Sequence, residues 1–434
     1  MGHASNHSFF PENIKWKKSV KTLLLLLLNV IVAAVIGMLA LCGVYSLPTA
    51  SIDKNVRASA SVFSREGCYP KLYKWCTSQL DNFTDAIILL EAANSVEADS
   101  FQKAMLNYRG KIDDKSPYDV LIAHYEEGIE FTKNTTYPRY WHGYHIWIKP
   151  LLLIFNYQTI RIINGVFQLG IGVWICYRLF RMKKTEFIIP LGITYGMLMP
   201  VTLAKSLQFS SCFYVAAFSV LLLLYSGKQK ACYVFLYAGI LTAFFDFLTY
   251  PIATFGIPAV MYFALYREEY VKGNLVRLLN LGVCWGVGYI GMWSLKWIIC
   301  GMITGVNVLE NAQSAIQLRT SRSYNGKTFS LFNCVKTCFD QFTKTPCTYM
   351  VCAYCLWKSI MTVKNWRKNR ISTSGYLNIC IPFVLIALLP LAWYAMALNH
   401  SSIHIYFTNK ALSVSVFALM ILFTSIAGSK KRAV

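Results

Sequence analysis

The chain has 434 residues, 56% hydrophobic and only 14% charged, and its mean hydropathy is +0.43. Charge this sparse cannot cover a water-facing surface, which excludes an ordinary soluble globular protein. The net charge of +22 would suit nucleic acid, but the basic residues gather in short connectors between apolar runs. That distribution excludes such a partner and matches the positive-inside pattern of a membrane protein.

In chain order, Lys15, Lys17, Lys18 and Lys21 make residues 1–21 a basic cytoplasmic segment, and residues 22–434 read as one membrane domain. The first predicted span, Thr22–Tyr45, holds six consecutive leucines and is too long for the roughly 7–15-residue apolar core of a signal peptide. Residues 46–147 form a large polar loop, expected outside. Further spans are predicted at Thr159–Leu179, Phe187–Ala204, Phe209–Ser226, Ala231–Tyr250, Ile252–Tyr266, Leu278–Cys300, Pro346–Val363, Leu377–Leu398 and Ala411–Ala427. They are separated by basic connectors at Arg178–Lys184, Lys228–Lys230, Arg267–Arg277, Lys364–Arg370 and Lys430–Arg432. The expected fold is therefore an all-α polytopic membrane protein with about ten spans, both termini inside, and a second outer loop over residues 301–345. Ile146–Tyr157 is short and contains Pro150, so it is expected to be an interfacial or re-entrant helix rather than a span. Cys68 and Cys76 share the first outer loop, and Cys334, Cys338 and Cys347 the second, where disulfides are permitted.

The outer face carries the chemistry. Asp81 and Asp85, four apart, can present two carboxylates on one helical face, as a base or a pair holding a divalent cation; alternatively Asp81 is simply a helix N-cap. Arg139-Tyr-Trp-His-Gly-Tyr-His145 combines rings that stack on sugar faces (Trp141 and Tyr144) with His142, His145 and Arg139, which can bind hydroxyls or phosphate. An aromatic belt at the interface would explain the Tyr and Trp but not the imidazoles and guanidinium. Arg161 and Lys205 lie within or at the outer ends of spans, where a cation needs an anionic partner or must snorkel. Asp246, among Phe244, Phe245 and Phe247 and close to Tyr250, is expected either to pair with Arg161 or Lys205 or to face substrate. His400 and His404 are spaced i,i+4. With no third ligand type nearby, they suit hydrogen bonding to phosphate or sugar, with Lys410 as counter-charge.

This layout, a basic-flanked first span followed by a large outer loop with acids and further outer-face motifs, resembles the GT-C superfamily of polyprenyl-phosphate-sugar-dependent membrane glycosyltransferases. The resemblance lies in the layout of the whole chain and implies a compact bacterial member in the cell membrane. It implies a catalytic acid in the first outer loop, mapping onto Asp81 or, failing it, Asp85. It also implies a donor phosphate held by outer-face cations, for which Arg139, Arg161, Lys205, His404 and Lys410 are candidates. Trp141, His142, Tyr144, His145, Asp246, Tyr250 and His400 would meet substrate. The implied partners are a polyprenyl-phosphate sugar, an envelope glycan or lipid-linked acceptor, and membrane lipids. Transfer would occur by inverting displacement, with a divalent cation left open as cofactor. A transporter or flippase of an envelope lipid or sugar, or an outer-face polymer ligase, is the rival. No internal repeat is evident, and the polar clusters sit at one surface rather than at the bilayer midplane, which favours the enzyme.

Overall fold

The computed structural model describes residues 14–365 and 373–428. The predicted connector residues Arg367, Lys368, Arg370, Lys430, Lys431 and Arg432 lie outside the described residues, as do the side chains of Lys15, Lys17 and Lys18.

Helix α1 (Ile14–Tyr45) leads into residues 46–147, which fold into a compact layer of their own. Its elements are α2 (Thr49–Arg57), α3 (Ala60–Glu66), α4 (Asn82–Ala93), α5 (Ser100–Leu106), β1 (Arg109–Lys111), α6 (Pro117–Tyr125), β2 (Lys133–Thr135) and α7 (His145–Leu152). Asp81, Asp99 and Ser116 cap α4, α5 and α6 through their side chains, satisfying amides that a helix start leaves unpaired. β1 and β2 pair antiparallel, Gly110 opposite Asn134. Ile52, Val56, Phe63, Ile88, Leu89 and Leu121 form the core of the layer. The α7 segment, too short to cross a membrane, belongs to it.

The bundle follows with α8 (Tyr157–Arg181), α9 (Ile188–Met197), α10 (Pro200–Lys205), α11 (Leu207–Ser226), α12 (Ala231–Phe245), α13 (Ile252–Tyr266) and α14 (Val271–Thr304). The second loop supplies α15 (Val308–Thr320), a small hairpin of β3 (Ser323–Tyr324) and β4 (Lys327–Thr328), and α16 (Leu331–Thr343). The chain closes with α17 (Cys347–Asn365), α18 (Thr373–Met396), α19 (Leu398–Ile403), α20 (Ile405–Thr408) and α21 (Ser413–Ala427). The architecture is all-α with two minimal hairpins. Among the described residues, six stretches are long and apolar enough to cross a membrane: Lys21–Tyr45, Tyr157–Arg181, Leu207–Ser226, Val271–Thr304, Thr373–Met396 and Ile405–Ala427.

Two predicted spans are corrected. Phe187–Ala204 is not one helix. α9 stops at Met197, Met199 takes a left-handed φ of 60°, and Pro200 starts α10, because proline cannot donate into a continuing helix. A ten-residue α9 rises only about 15 Å. Ala231–Tyr250 is also shorter than expected. α12 ends at Phe245, and Asp246–Tyr250 form a turn with Leu248 at φ 67°.

Close helix approach fixes the bundle's centre. A Cβ on Gly239 of α12 would lie 2.1 Å from the Trp285 carbonyl oxygen, and one on Gly288 of α14 would lie 2.2 Å from that of Leu236. The two glycines let the backbones meet directly, the small-residue solution favoured where lipid offers no hydrophobic drive.

The layer docks on one end of the bundle through buried polar side chains. Lys296 Nζ of α14 donates to Met105 O at 2.7 Å, and Lys410 Nζ to Thr77 O at 2.8 Å and Leu198 O at 3.1 Å. Trp141 Nε1 donates to Met292 O at 2.8 Å, and Tyr45 OH to Asn107 Oδ1 at 3.0 Å. The basic connectors meet one another elsewhere: Arg277 donates to Lys228 O at 2.8 Å, Lys228 pairs with Glu268 at 2.7 Å, and Arg178 bonds Leu224 O. The loop clusters and the basic connectors thus form two separate contact sets.

Candidate functional site at the loop end of the bundle

Asp81 and Asp85 converge on the start of α11. Asp81 is the N-cap of α4, its Oδ1 accepting from Thr84 N at 3.0 Å. Its Oδ2 accepts from Thr84 Oγ1 at 3.1 Å, Tyr406 OH at 3.0 Å and the Gln208 side-chain amide. Asp85 accepts from Leu207 N at 3.0 Å, Gln208 N at 3.4 Å and the Tyr157 hydroxyl, so it serves the exposed amides of α11 from another element. Burial raises the pKa of both carboxyls; for Asp85 it reaches about 7 although Tyr157 and Arg161 pull it back. Arg161 is itself committed: it donates to Glu66 Oε1 at 2.8 Å, Asn82 Oδ1 at 3.0 Å and Tyr157 OH at 2.8 Å.

A second knot centres on Glu91, fully buried in α4. Its Oε2 lies 2.9 Å from His142 Nδ1 and 3.2 Å from His145 Nε2, and accepts from Tyr144 OH at 3.1 Å. His142, at φ 56°, also bonds the Tyr137 carbonyl through Nε2 at 2.9 Å. Burial acts to raise the Glu91 pKa, but the two imidazoles outweigh it and hold the carboxyl at about 2, while burial lowers His145 to about 4. The three side chains have the types and spacing of a metal-ligand set. Only Glu91 Oε2 is shared among them; Glu91 Oε1 and His145 Nδ1 are buried with no hydrogen-bond partner. Arg109 approaches Glu91 to 3.9 Å and Lys149 lies close to His145, a cationic setting better matched to the lone carboxylate than to an added cation.

One feature open to a ligand is a cavity of about 410 Å³ between α14, α15 and α18, within the size range of small-molecule sites. Tyr289, Trp293, Trp297 and Trp393 give it aromatic walls, Ile316 and Met396 aliphatic ones, and Arg139 and Arg319 lie at its polar edge. Tyr140 stands between the guanidiniums: its ring lies 5.5 Å from Arg139 Cζ and its hydroxyl accepts from Arg319 at 3.1 Å. Arg139 also donates to Asn311 Oδ1 at 3.1 Å and Tyr137 OH at 3.2 Å. Neither guanidinium is paired with a carboxylate among the described residues. Arg319 also donates to His400 Nδ1, and His400 Nε2–H donates to Leu248 O at 2.7 Å. Burial, then the Arg319 charge, push the His400 pKa well below its usual value, which fits that neutral tautomer.

Leu248 lines this cavity and belongs to the Asp246 turn. Asp246, 5% exposed, does not pair with Arg161 or Lys205. It accepts from Thr249 N at 2.9 Å and from the Thr249 hydroxyl. It lies within electrostatic reach of Tyr289 on the cavity wall. Burial raises its pKa to about 6 against these hydrogen bonds.

The structure therefore sorts the sequence candidates. Arg139 lines the cavity, His400 hydrogen-bonds two of its lining residues, Arg319 and Leu248, and Asp246 begins the turn that carries Leu248 without lining the cavity itself. Trp141, His142, Tyr144 and His145 are fully buried rather than presented for stacking, and Tyr250 OH is spent on Phe209 O at 2.6 Å. Lys410 is buried on carbonyls, and Lys205 makes no ion pair among the described residues. His400 and His404 do not share a continuous helix, since α19 ends at Ile403; their rings nonetheless lie 4.9 Å apart. Cys68, Cys76, Cys334, Cys338 and Cys347 are all free thiols. Sequence reasoning missed Arg319, which no neighbouring motif marks, and Glu91, whose signal was a carboxylate closing the apolar run Ala86-Ile-Ile-Leu-Leu90. Comparison with protein-family models, curated proteins and solved structures yields no match.

Proposed function

We propose that this protein is a membrane glycosyltransferase of the GT-C type, taking a sugar from a polyprenyl-phosphate donor at the loop end of its bundle. The observation that carries this reading is the pair of guanidiniums, Arg139 and Arg319, free of carboxylates at the edge of an aromatic cavity among apolar helices. A prenyl chain suits the walls, and a phosphate supplies the anion the arginines lack. The loop end is taken as extracytoplasmic and both termini as inside, because the basic connectors sit in the opposite contact set.

The chemistry needs little more. The acceptor hydroxyl gives its proton to a carboxylate, and its oxygen bonds the anomeric carbon as the carbon–phosphate-oxygen bond breaks. The electron pair leaves on the lipid phosphate, which Arg139 and Arg319 stabilise, and the anomeric centre inverts. Asp246 is assigned as base, since its turn borders the cavity. Asp81, onto which the first-loop acid of the resemblance maps, is the competing assignment, with Asp85 behind it because its oxygens cap α11. The test is turnover of polyprenyl-phosphate sugars in reconstituted vesicles. Arg319→Gln should raise KM for the donor, whereas loss of no activity in either Arg139→Gln or Arg319→Gln would refute the site.

A further inference from the structure

A second cavity, of about 320 Å³, lies between α8, α9, α11 and α13, on helices that contribute nothing to the first. Gly172, Gly192, Phe213 and Ala217 line it, and no charged side chain does. Val173 on its rim is 69% exposed and Leu169 is 59% exposed, so it opens sideways on the apolar surface of the bundle. A Cβ built on Gly172 or Gly192 meets nothing within 4 Å; the glycines keep the space open rather than admit a neighbouring backbone.

One turn contributes to both cavities. Leu248 lines the first and Tyr250 the second, and Asp246 begins that turn. Cys212, on the wall of the second cavity, contacts Thr249 Oγ1 at 3.4 Å, the hydroxyl that Asp246 accepts from. Resting on the glycosyl-transfer reading, we infer that this cavity holds the hydrocarbon chain of a second, uncharged lipid, whose polar head reaches the Asp246 turn, so that the sugar acceptor is itself a lipid. At this depth the surrounding solvent is hydrocarbon, so a chain is what can enter. Without a cation on its walls, the cavity cannot hold the phosphate that Arg139 and Arg319 attract.

The test uses the full chain in phosphatidylcholine vesicles with two photoreactive probes, a diazirine-bearing diacylglycerol and a diazirine-bearing polyprenyl phosphate, and peptide mapping of the crosslinks. The diacylglycerol should label α8 and α11, and Gly172→Phe or Gly192→Phe should each cut that labelling about tenfold or more, equivalent to ~1.4 kcal/mol of binding. Arg319→Gln should leave it intact. The polyprenyl phosphate should label α15 and α18 with the opposite sensitivities, and its retention in the glycine variants shows that they fold. The inference is overturned if diacylglycerol labels α15 and α18 in competition with the anionic probe. It is equally overturned if unlabelled phosphatidylcholine displaces diacylglycerol as well as unlabelled diacylglycerol does, which marks a boundary-lipid site. Failure of the anionic probe alone strikes the donor reading instead, and removes the acceptor role with it.

Discussion

Asp246 and Asp81 are both buried, both bound by neutral donors and both without a cationic partner among the described residues, so burial raises the pKa of each. They differ in setting: Asp246 begins a turn bordered by two cavities, whereas Asp81 is held by four hydrogen bonds as an N-cap. Asp246→Asn should therefore lower kcat by roughly 10²–10⁴ with donor KM little changed, the scale of a lost general base. Asp81→Asn should act mainly on stability; a kcat loss confined to Asp81→Asn would return the role to the first loop. On the proposed reading Asp246 is a base and must be deprotonated to work, so with its pKa near 6, kcat/KM should fall as pH drops through about 6 and level off above it. Glu91 is expected to matter for folding. Removing one partner of a fully buried charge cluster costs on the order of 3 kcal/mol, which Glu91→Gln should show as a lowered denaturation midpoint. Its depressed pKa, about 2, lies below the ordinary glutamate value. The stability it confers is thus present above about 4.5 and lost as pH falls from there through 2, which a melting series across that window checks.

Among elements, the α12–α14 contact is the one with least slack. Gly239 and Gly288 each face a carbonyl oxygen of the opposite helix, and a backbone cannot step aside as a side chain can. Gly239→Val and Gly288→Val should abolish monodisperse protein, since overpacking already costs ~1–3 kcal/mol where side chains can adjust. Gly43→Ala in α1, whose Cβ meets nothing, should be neutral or stabilising, because alanine outranks glycine in a helix by about 1 kcal/mol. Thermal unfolding in detergent separates these outcomes. The break between α9 and α10 matters as much: ending α9 at Met197 delivers Leu198 O to Lys410 and Ser206 to Asp81.

For the whole molecule, the testable proposition is orientation. In a background with its cysteines replaced, cysteine at Asp99 should label from outside and cysteine at Lys183 from inside. The reverse pattern would move the arginine-lined cavity to the cytoplasmic face and exclude a donor presented outside. The folded layer of residues 46–147, the second loop and the Asp246 turn act as one unit here, because Arg319 and His400 reach across from separate segments to Tyr140 and Leu248.

Hydropathy and the distribution of lysine and arginine were enough to read an all-α membrane protein with polar clusters set apart from basic connectors, because hydrocarbon demands long apolar helices whatever the tertiary detail. Helix starts were equally local: Asp81 as an N-cap needs only the residues that follow it. The break before Pro200 was likewise local, since proline cannot continue a helix, but the sequence could not say that Arg161 would be claimed by Glu66, or that His142 and His145 would be consumed by Glu91. Each of these depends on which partner arrives from far along the chain, and buried polar groups are satisfied by whatever is nearest in space. Arg319 is the clearest case. Nothing beside it in sequence marks it, and only the packing of α15 against α14 and α19 brings it to Arg139, 180 positions earlier, at the edge of one cavity.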